Sequence, residues 1–307
     1  MNILSLFDGM SCGQIALREL GIKVDKYFAS EIDKHAIAQT QLNFPETIQL
    51  GSVTEVKATD LPPIDMLIGG SPCQGFSFAG KQLNFSDPRS VLFFEYVRIL
   101  KEIKEINPNV LFLLENVRMK RQFEAVISEQ LGLQPVMINS ALVSAQNRVR
   151  LYWTNIRTRK EGLFSELYTD IPQPKDKGLL LQDILEPNVP ERYYLSDKTP
   201  TLTANAWEQN NLVVSGTFRT HKDDFGFREI KSGKAATIPA RAREDGSGQN
   251  VCKINHRIRR LTPIECSRLQ TIPSWYNWGC SETQIYKMLG NGWTVEVIKH
   301  IFKYINQ

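Results

Sequence analysis

No apolar run in this sequence of 307 residues is long enough to span a bilayer, and the first one, Met1–Phe7, meets Asp8 and Gly9 where a secretory signal would carry a cleavage site. That start reads as a buried strand, with no membrane partner expected. Cysteine is scarce. Cys12, Cys73, Cys252, Cys266 and Cys280 make an odd count of 5 with no C-x-x-C pair, which argues against both a disulfide framework and a structural zinc site. No metal is expected, and a reducing compartment fits. A large excess of one charge is also missing: 37 basic against 33 acidic side chains leave +4, which permits a polyanionic partner without demanding one. Hydrophobic residues at 42% and charged residues at 23% are ordinary for a globular chain long enough to bury one large core and a smaller one.

What is present is a rhythm. Short apolar runs at Ile3–Phe7, Tyr27–Glu31, Ile48–Leu50, Met66–Gly69 and Val110–Glu115 alternate with helical patterns, which predicts a doubly wound, Rossmann-like α/β sheet. Ile15, Ala16, Leu17 and Leu20 form the apolar face of a helix that stops at Gly21, and a longer helix runs from Val91 to Ile106. Val136–Asn139 and Leu151–Ile156 predict a hairpin closing the sheet. From about Arg157 to Arg257 the periodicity weakens and Pro and Gly punctuate the chain. We therefore expect a catalytic and cofactor-binding domain over 1–157, completed by 272–307, and a smaller domain with its return segment over 158–271. Lys198–Ala204 and Lys234–Ala240 echo each other within it. Thr262-Pro263-Ile264-Glu265 has the form of a capping box, and Ile298, Ile301, Phe302 and Ile305 share one face of a last helix.

Three segments carry chemistry. Phe7-Asp8-Gly9-Met10-Ser11-Cys12-Gly13 follows the first strand and leads into a helix, where this fold class places a backbone-lined ligand loop. Its spacing is not G-x-G-x-x-G, which favours an amino-acid carboxylate over a pyrophosphate. Glu31 ends the second strand, where a carboxylate can accept both hydroxyls of a ribose. Cys73 follows the fourth strand in Gly70-Ser71-Pro72-Cys73-Gln74-Gly75, a shaped turn at the carboxyl edge of the sheet and a setting suited to a nucleophile. Glu115-Asn116 ends the fifth strand and emerges at the same edge.

In this order the motifs resemble the cytosine-C5 DNA methyltransferase family along nearly the whole chain. Phe7-Asp8-Gly9 resembles its cofactor motif, Pro72-Cys73-Gln74 its nucleophile motif and Glu115-Asn116-Val117 its glutamate motif. Gln146-Asn147-Arg148-Val149-Arg150 resembles the Gln-x-Arg-x-Arg motif, and Arg260–Gln270 the segment after the target recognition domain. Gly290-Asn291-Gly292 resembles the last cofactor-side motif. Leu6–Gly9, Tyr27–Glu31, Leu92–Glu95 and Trp293–Val295 look closer to the animal de novo branch, whose cysteine-rich reader domains are absent, so a compact bacterial or phage enzyme is the simpler reading. The resemblance implies S-adenosyl-L-methionine as cofactor, held by Phe7, Asp8, Gly9, Ser11, Cys12 and Gly13, by Glu31 and Ile32, by Ser52, Val53, Pro72 and Leu92, and by Asn291 and Trp293. Ser52 stands where bacterial members carry an aspartate for the adenine.

It further implies that a cytosine is flipped out of duplex DNA and attacked at carbon 6 by Cys73. Glu115 then neutralises N3 while Arg148 and Arg150 hold the base and orient Glu115. Gln74 to Arg89 fits a mobile lid, with Gln74, Ser77 and Arg89 toward DNA. In the smaller domain Thr201, Thr203, Arg219, Thr237, Arg241 and Arg243 are candidate phosphate or base-edge donors. The setting implied is the cytoplasm of a bacterial or phage-infected cell, at the nucleoid, as an orphan methylase or with a cognate restriction endonuclease. Rival readings are a transfer-RNA cytosine-C5 methyltransferase, for which Cys-Phe-Thr would be expected in place of Cys73-Gln74-Gly75, a catalytically inactive DNA-binding homologue, and a Rossmann oxidoreductase.

Overall fold

The computed structural model describes residues 1–72, 88–190, 214–219, 226–238, 250–254 and 257–305; at 88–90, 214–219, 226, 257 and 258 it describes the backbone alone. Cys73, Gln74, Ser77, Thr201, Thr203, Arg241 and Arg243 lie outside the described residues, as do the side chains of Arg89 and Arg219. Two compact units form, one from Met1–Asn139, Val149–Gln173 and Val297–Gln307, the other from Ser140–Arg148 and Pro174–Glu296.

The first unit is built on β1 (Asn2–Leu6), β2 (Lys26–Ser30), β3 (Ile48–Gln49), β4 (Met66–Gly69) and β5 (Leu111–Val117), all parallel. The hairpin of β6 (Val136–Asn139) and β7 (Val149–Thr154) joins antiparallel through β7, giving the order β3-β2-β1-β4-β5-β7-β6. Helices α1 (Cys12–Glu19), α2 (Lys34–Asn43), α3 (Pro88–Ile106) and α4 (Arg121–Leu131) provide crossovers. Strands covered on both faces need no polar positions, and every residue of β4 is buried. On α3, Phe93, Tyr96, Val97, Leu100 and Ile103 recur at helical spacing and pack into one core with Leu4, Leu67, Phe112 and Trp153. A second hairpin, β8 (Thr158–Glu161) with β9 (Glu166–Thr169), begins just past the boundary expected at Arg157. It is held to this unit by Gln134 N–H donating to Leu167 O and Thr169 N–H donating to Gln134 O, at 2.8 and 2.9 Å.

Strand order reverses between β1 and β4, so the loops leaving their carboxyl ends diverge and open a crevice. Gly69 sets the end of β4. A Cβ there would lie 3.0 Å from Leu6 O and 3.1 Å from the Tyr96 ring, so strand and helix approach as closely as glycine allows. Gly69→Ala is expected to destabilise the chain by about 1–3 kcal/mol, read as a lower urea midpoint at unchanged slope; an unchanged midpoint would mean that Tyr96 withdraws freely.

The second unit carries a four-stranded antiparallel sheet of β10 (Val214–Arg219), β11 (Gly226–Glu229), β12 (Asn250–Ile254) and β13 (Arg257–Arg260), ordered β11-β10-β12-β13. Helices α5 (Pro263–Leu269) and α6 (Glu282–Asn291) follow. The capping box read from sequence forms: Glu265 N–H donates to Thr262 Oγ1 at 3.2 Å and Thr262 N–H to Glu265 Oε2 at 2.8 Å. Glu265 also takes both arms of Arg259, each at 2.8 Å, with both side chains buried. The last helix, α7 (Val295–Phe302), belongs to the first unit from Val297 onward, where Ile298 and Ile301 are fully buried and Lys299 Nζ lies 3.6 Å from Glu19 Oε2. No described helix is long and apolar enough to cross a membrane.

Candidate active site

Parallel strands bring their carboxyl ends to one edge, and the segments singled out from sequence in the first unit leave from it. The loop after β1 turns on three left-handed residues, Phe7, Gly9 and Ser11, with φ of 57°, 59° and 65°. Gly9 N–H donates to Glu31 Oε2 at 2.8 Å, and Ile32 and Asp33 N–H donate to Glu31 Oε1 at 2.8 and 2.9 Å. Glu31 therefore stands in one orientation, tying the β1 and β2 exits together. Ser30 Oγ donates to Gly51 O at 2.8 Å, which draws in Gly51-Ser52. Ser52 Oγ caps its own turn by accepting from Thr54 N–H at 3.4 Å, and Val53 is buried. Leu92, on α3, is partly buried against the core, and Pro72 is half-buried.

Asp8 is the unusual member of this loop. Its carboxylate accepts from Tyr27 Oη at 2.8 Å through Oδ1, while Oδ2 is buried with no hydrogen-bond donor among the described residues. Burial pushes its pKa up to about 6, with Glu31 adding to the rise and the hydroxyls of Ser5, Ser11 and Tyr27 opposing it. The Tyr27 phenol is pushed up in turn, by burial first and then by Asp8.

Glu115 is placed by register. Residues i and i+2 of a strand share a face, and Arg150 on β7 stands opposite Val117 on β5, so Glu115 and Arg150 are diagonal neighbours on one face. Arg150 Nε meets Glu115 Oε1 at 2.9 Å, with side-chain exposures of 13% and 11%, enough burial to strengthen the pair and enough opening for a ligand to reach it. Next to Glu115, Asn116 Nδ2 donates to Ser71 Oγ at 3.1 Å in the interior, so the end of β5 is bonded to the β4 exit two residues ahead of Cys73. The hydrogen bonds of Tyr27, Ser71 and Asn116 are positioning contacts that sequence reading did not assign, although Ser71 and Asn116 each lie within a segment it singled out.

Arg148 is placed differently from Arg150. It is buried in the second unit, where Nη2 donates to Gly290 O at 3.2 Å and Gly292 O at 2.8 Å, bracing the turn that carries Asn291. Sequence reading shared the orienting of Glu115 between both arginines; within the first unit, Arg150 pairs with it. In the same unit Asn291 is exposed, Trp293 half-buried, and Thr237 Oγ1 donates to Asn147 O at 2.8 Å.

A family model for C-5 cytosine-specific DNA methylases matches residues 1–307. The chain belongs to that family. The type II methyltransferase M1.ScrFI of Lactococcus lactis subsp. cremoris is 33% identical over 98% of this methylase and 76% of its own length. The orphan methyltransferase M.SPRI of Bacillus phage SPR is 28% identical over 100% and 99%. Among solved structures, the methyltransferase EhMeth of Entamoeba histolytica aligns with a TM-score of 0.71 at 16% identity over 99% of this methylase and 97% of that chain, which supports the fold. Dnmt2 of S. pombe aligns with a TM-score of 0.67 at 18% identity over 100% of each chain. The fold of the methylase is therefore that of the methyltransferases it aligns with, a mostly parallel sheet with helices.

Proposed function

We propose that the chain methylates carbon 5 of cytosine in duplex DNA, with S-adenosyl-L-methionine as methyl donor. The observation that carries this is the Arg150–Glu115 ion pair at the sheet's open edge, hydrogen-bonded through Asn116 to the turn that leads into Cys73. Other cysteines are poor nucleophiles: Cys12, Cys252 and Cys266 are buried, and burial pushes the Cys252 thiol up to about 12 and also raises Cys266 and the half-buried Cys280.

The first unit's loops fit the donor. Ile32 projects just past β2 with 78% of its surface exposed, an apolar platform suited to a purine face, and Glu31 beside it suits a ribose. Helix α1 begins at left-handed Ser11 with no side-chain cap and no acidic residue in its first turn, so its end suits a carboxylate. The paired carboxylates Asp8 and Glu31 suit a cationic centre. Phe7, Gly9, Cys12, Gly13, Ser52, Val53, Pro72 and Leu92 complete this set in the first unit; the family resemblance also assigns Asn291 and Trp293 to the cofactor. Bound there, S-adenosyl-L-methionine supplies an electrophilic methyl group.

The protein's own residues then divide the work. Cys73 adds its thiolate to carbon 6 of an extruded cytosine, which shifts the ring's electrons toward carbon 5. Glu115, oriented by Arg150, holds the proton at N3 that stabilises the adduct. Once carbon 5 carries the methyl group, loss of its proton to a base expels the thiolate. Gln74, Ser77, Arg89, Thr201, Thr203, Arg219, Thr237, Arg241 and Arg243 are proposed to contact DNA. The bacterial and phage relatives support a role either beside a cognate endonuclease or as an orphan methylase in a bacterial cell.

Bisulfite sequencing of DNA from bacteria expressing the chain tests the reading. Methylated cytosines within one short recurring sequence are expected. Unmodified DNA, together with label transferred from S-adenosyl-L-methionine to transfer RNA in vitro, would replace DNA by RNA as substrate.

A further inference from the structure

The segment around Lys234, one half of the sequence echo, docks on the loop that carries the first three residues of the Gln-x-Arg-x-Arg motif, Gln146 to Arg148, within the second unit. Ala235 forms a short parallel bridge with Gln146: its N–H donates to Ala145 O and its carbonyl accepts from Asn147 N–H, both at 2.9 Å. Asn250 satisfies both backbone groups of Ala236, accepting at 3.0 Å and donating at 2.9 Å. Ahead of the bridge, Lys234 Nζ donates to the carbonyls of Leu179 at 2.6 Å, Ala141 at 2.9 Å and Ser144 at 3.3 Å. An ammonium has three N–H donors, and three backbone carbonyls from two chain segments take them. Two of those acceptors belong to the loop 140–148.

That loop leads through Asn147 and Arg148 into Val149 and Arg150. We propose that Lys234 is a positioning residue for methyl transfer. Its ammonium clamps the loop 140–148 onto the segment 234–238, so that Thr237 and Arg148 keep one geometry. The proposal rests on the DNA methyltransferase reading above. A part-buried cation bonded to carbonyls is worth more than a neutral hydrogen bond, and misplacing a catalytic segment by about 1 Å can lower turnover by about 100-fold.

The test uses the full chain and a duplex several kilobases long, in which cytosine is replaced by 5-fluorocytosine so that active sites are titrated by covalent trapping. Turnover is measured with S-adenosyl-L-methionine on the same DNA without fluorine. Lys234→Met is expected to turn over about tenfold more slowly or worse per titrated site, at nearly unchanged KM for both substrates. Lys234→Arg, which keeps charge and donors, is expected to recover part of the loss. A clamp that only stabilised the fold would lower the melting temperature and the number of trapped sites but leave each site's rate intact, so a parent-like rate per site overturns the proposal. Should Lys234→Met not fold, Lys234→Gln decides in the same way, since it keeps two donors: a slower site supports the clamp and a parent-like site overturns it. If the parent chain traps no DNA at all, the functional reading fails and takes the clamp with it.

Discussion

Glu115→Gln is expected to slow formation of the covalent adduct on 5-fluorocytosine duplex by about 100-fold or more, and Arg150→Met to come close to the same loss. In the proposed mechanism the two act as one device. Arg150 reaches Glu115 at 2.9 Å only because β7 runs antiparallel to β5 with Arg150 opposite Val117, which brings the two side chains onto one face. If Arg150 works through Glu115, the double variant is no slower than the slower single, whereas independent roles would multiply. Quench-flow trapping followed on denaturing gels gives all four rates, and Cys73→Ala, expected to trap nothing, gives the baseline. Duplex affinity should stay close to that of the parent. A Glu115→Gln variant that traps at the parent rate would mean that another acid serves N3, and multiplying losses would assign Arg150 a contact of its own with the base or backbone.

Much of this architecture was legible because burial on both faces leaves a plain signature. β1, β2, β4 and β5 read as apolar runs, and the α3 stripe from Phe93 to Ile103 reads at helical spacing. The Thr262–Glu265 capping box is local chemistry and forms as read. Helix α2 left no such mark. Of its residues only Ala36, Gln39 and Thr40 are buried, two of them polar, so no apolar stripe announces it. The roles of the two arginines were illegible for another reason. Arg148 and Arg150 stand two apart in one motif, yet one ends a loop of the second unit and the other is the second residue of β7 in the first. That Arg150 reaches Glu115 depends on strand register, a tertiary fact that no spacing within the motif encodes. Lys234 shows the same limit, since its acceptors are backbone carbonyls, and carbonyls leave no trace in side-chain identity.

Asp8 gives the second large effect, and its sign depends on pH. A carboxyl whose pKa is raised in the folded chain is destabilising wherever it is already ionised in the unfolded one, because folding must then either bury the charge or take up a proton. With about 6 folded against an ordinary 3.8, the penalty is on the order of 3 kcal/mol above pH 6 or so. It shrinks as pH falls through that value and vanishes below about 4, where both states are protonated. Asp8→Asn removes the charge but keeps an oxygen for the Tyr27 hydroxyl, and its amide can donate toward Ser5 or Ser11. The variant is therefore expected to melt several degrees above the parent at pH 8 and level with it near pH 4. Such a penalty survives in a folded chain if the carboxylate does something only when ionised, and under the proposed function its use, beside Glu31, is attraction of a cationic donor. The same variant is then expected to bind S-adenosyl-L-methionine several-fold more weakly at pH 8 by titration calorimetry. It should bind the product S-adenosylhomocysteine, whose thioether sulfur is neutral, with a smaller loss. A variant less stable than the parent at pH 8 would show that the hydrogen bonds to the carboxylate outweigh its burial. Equal losses for the two ligands would remove the sulfonium from the account and leave Asp8 as a brace for the left-handed turn from Phe7 to Ser11.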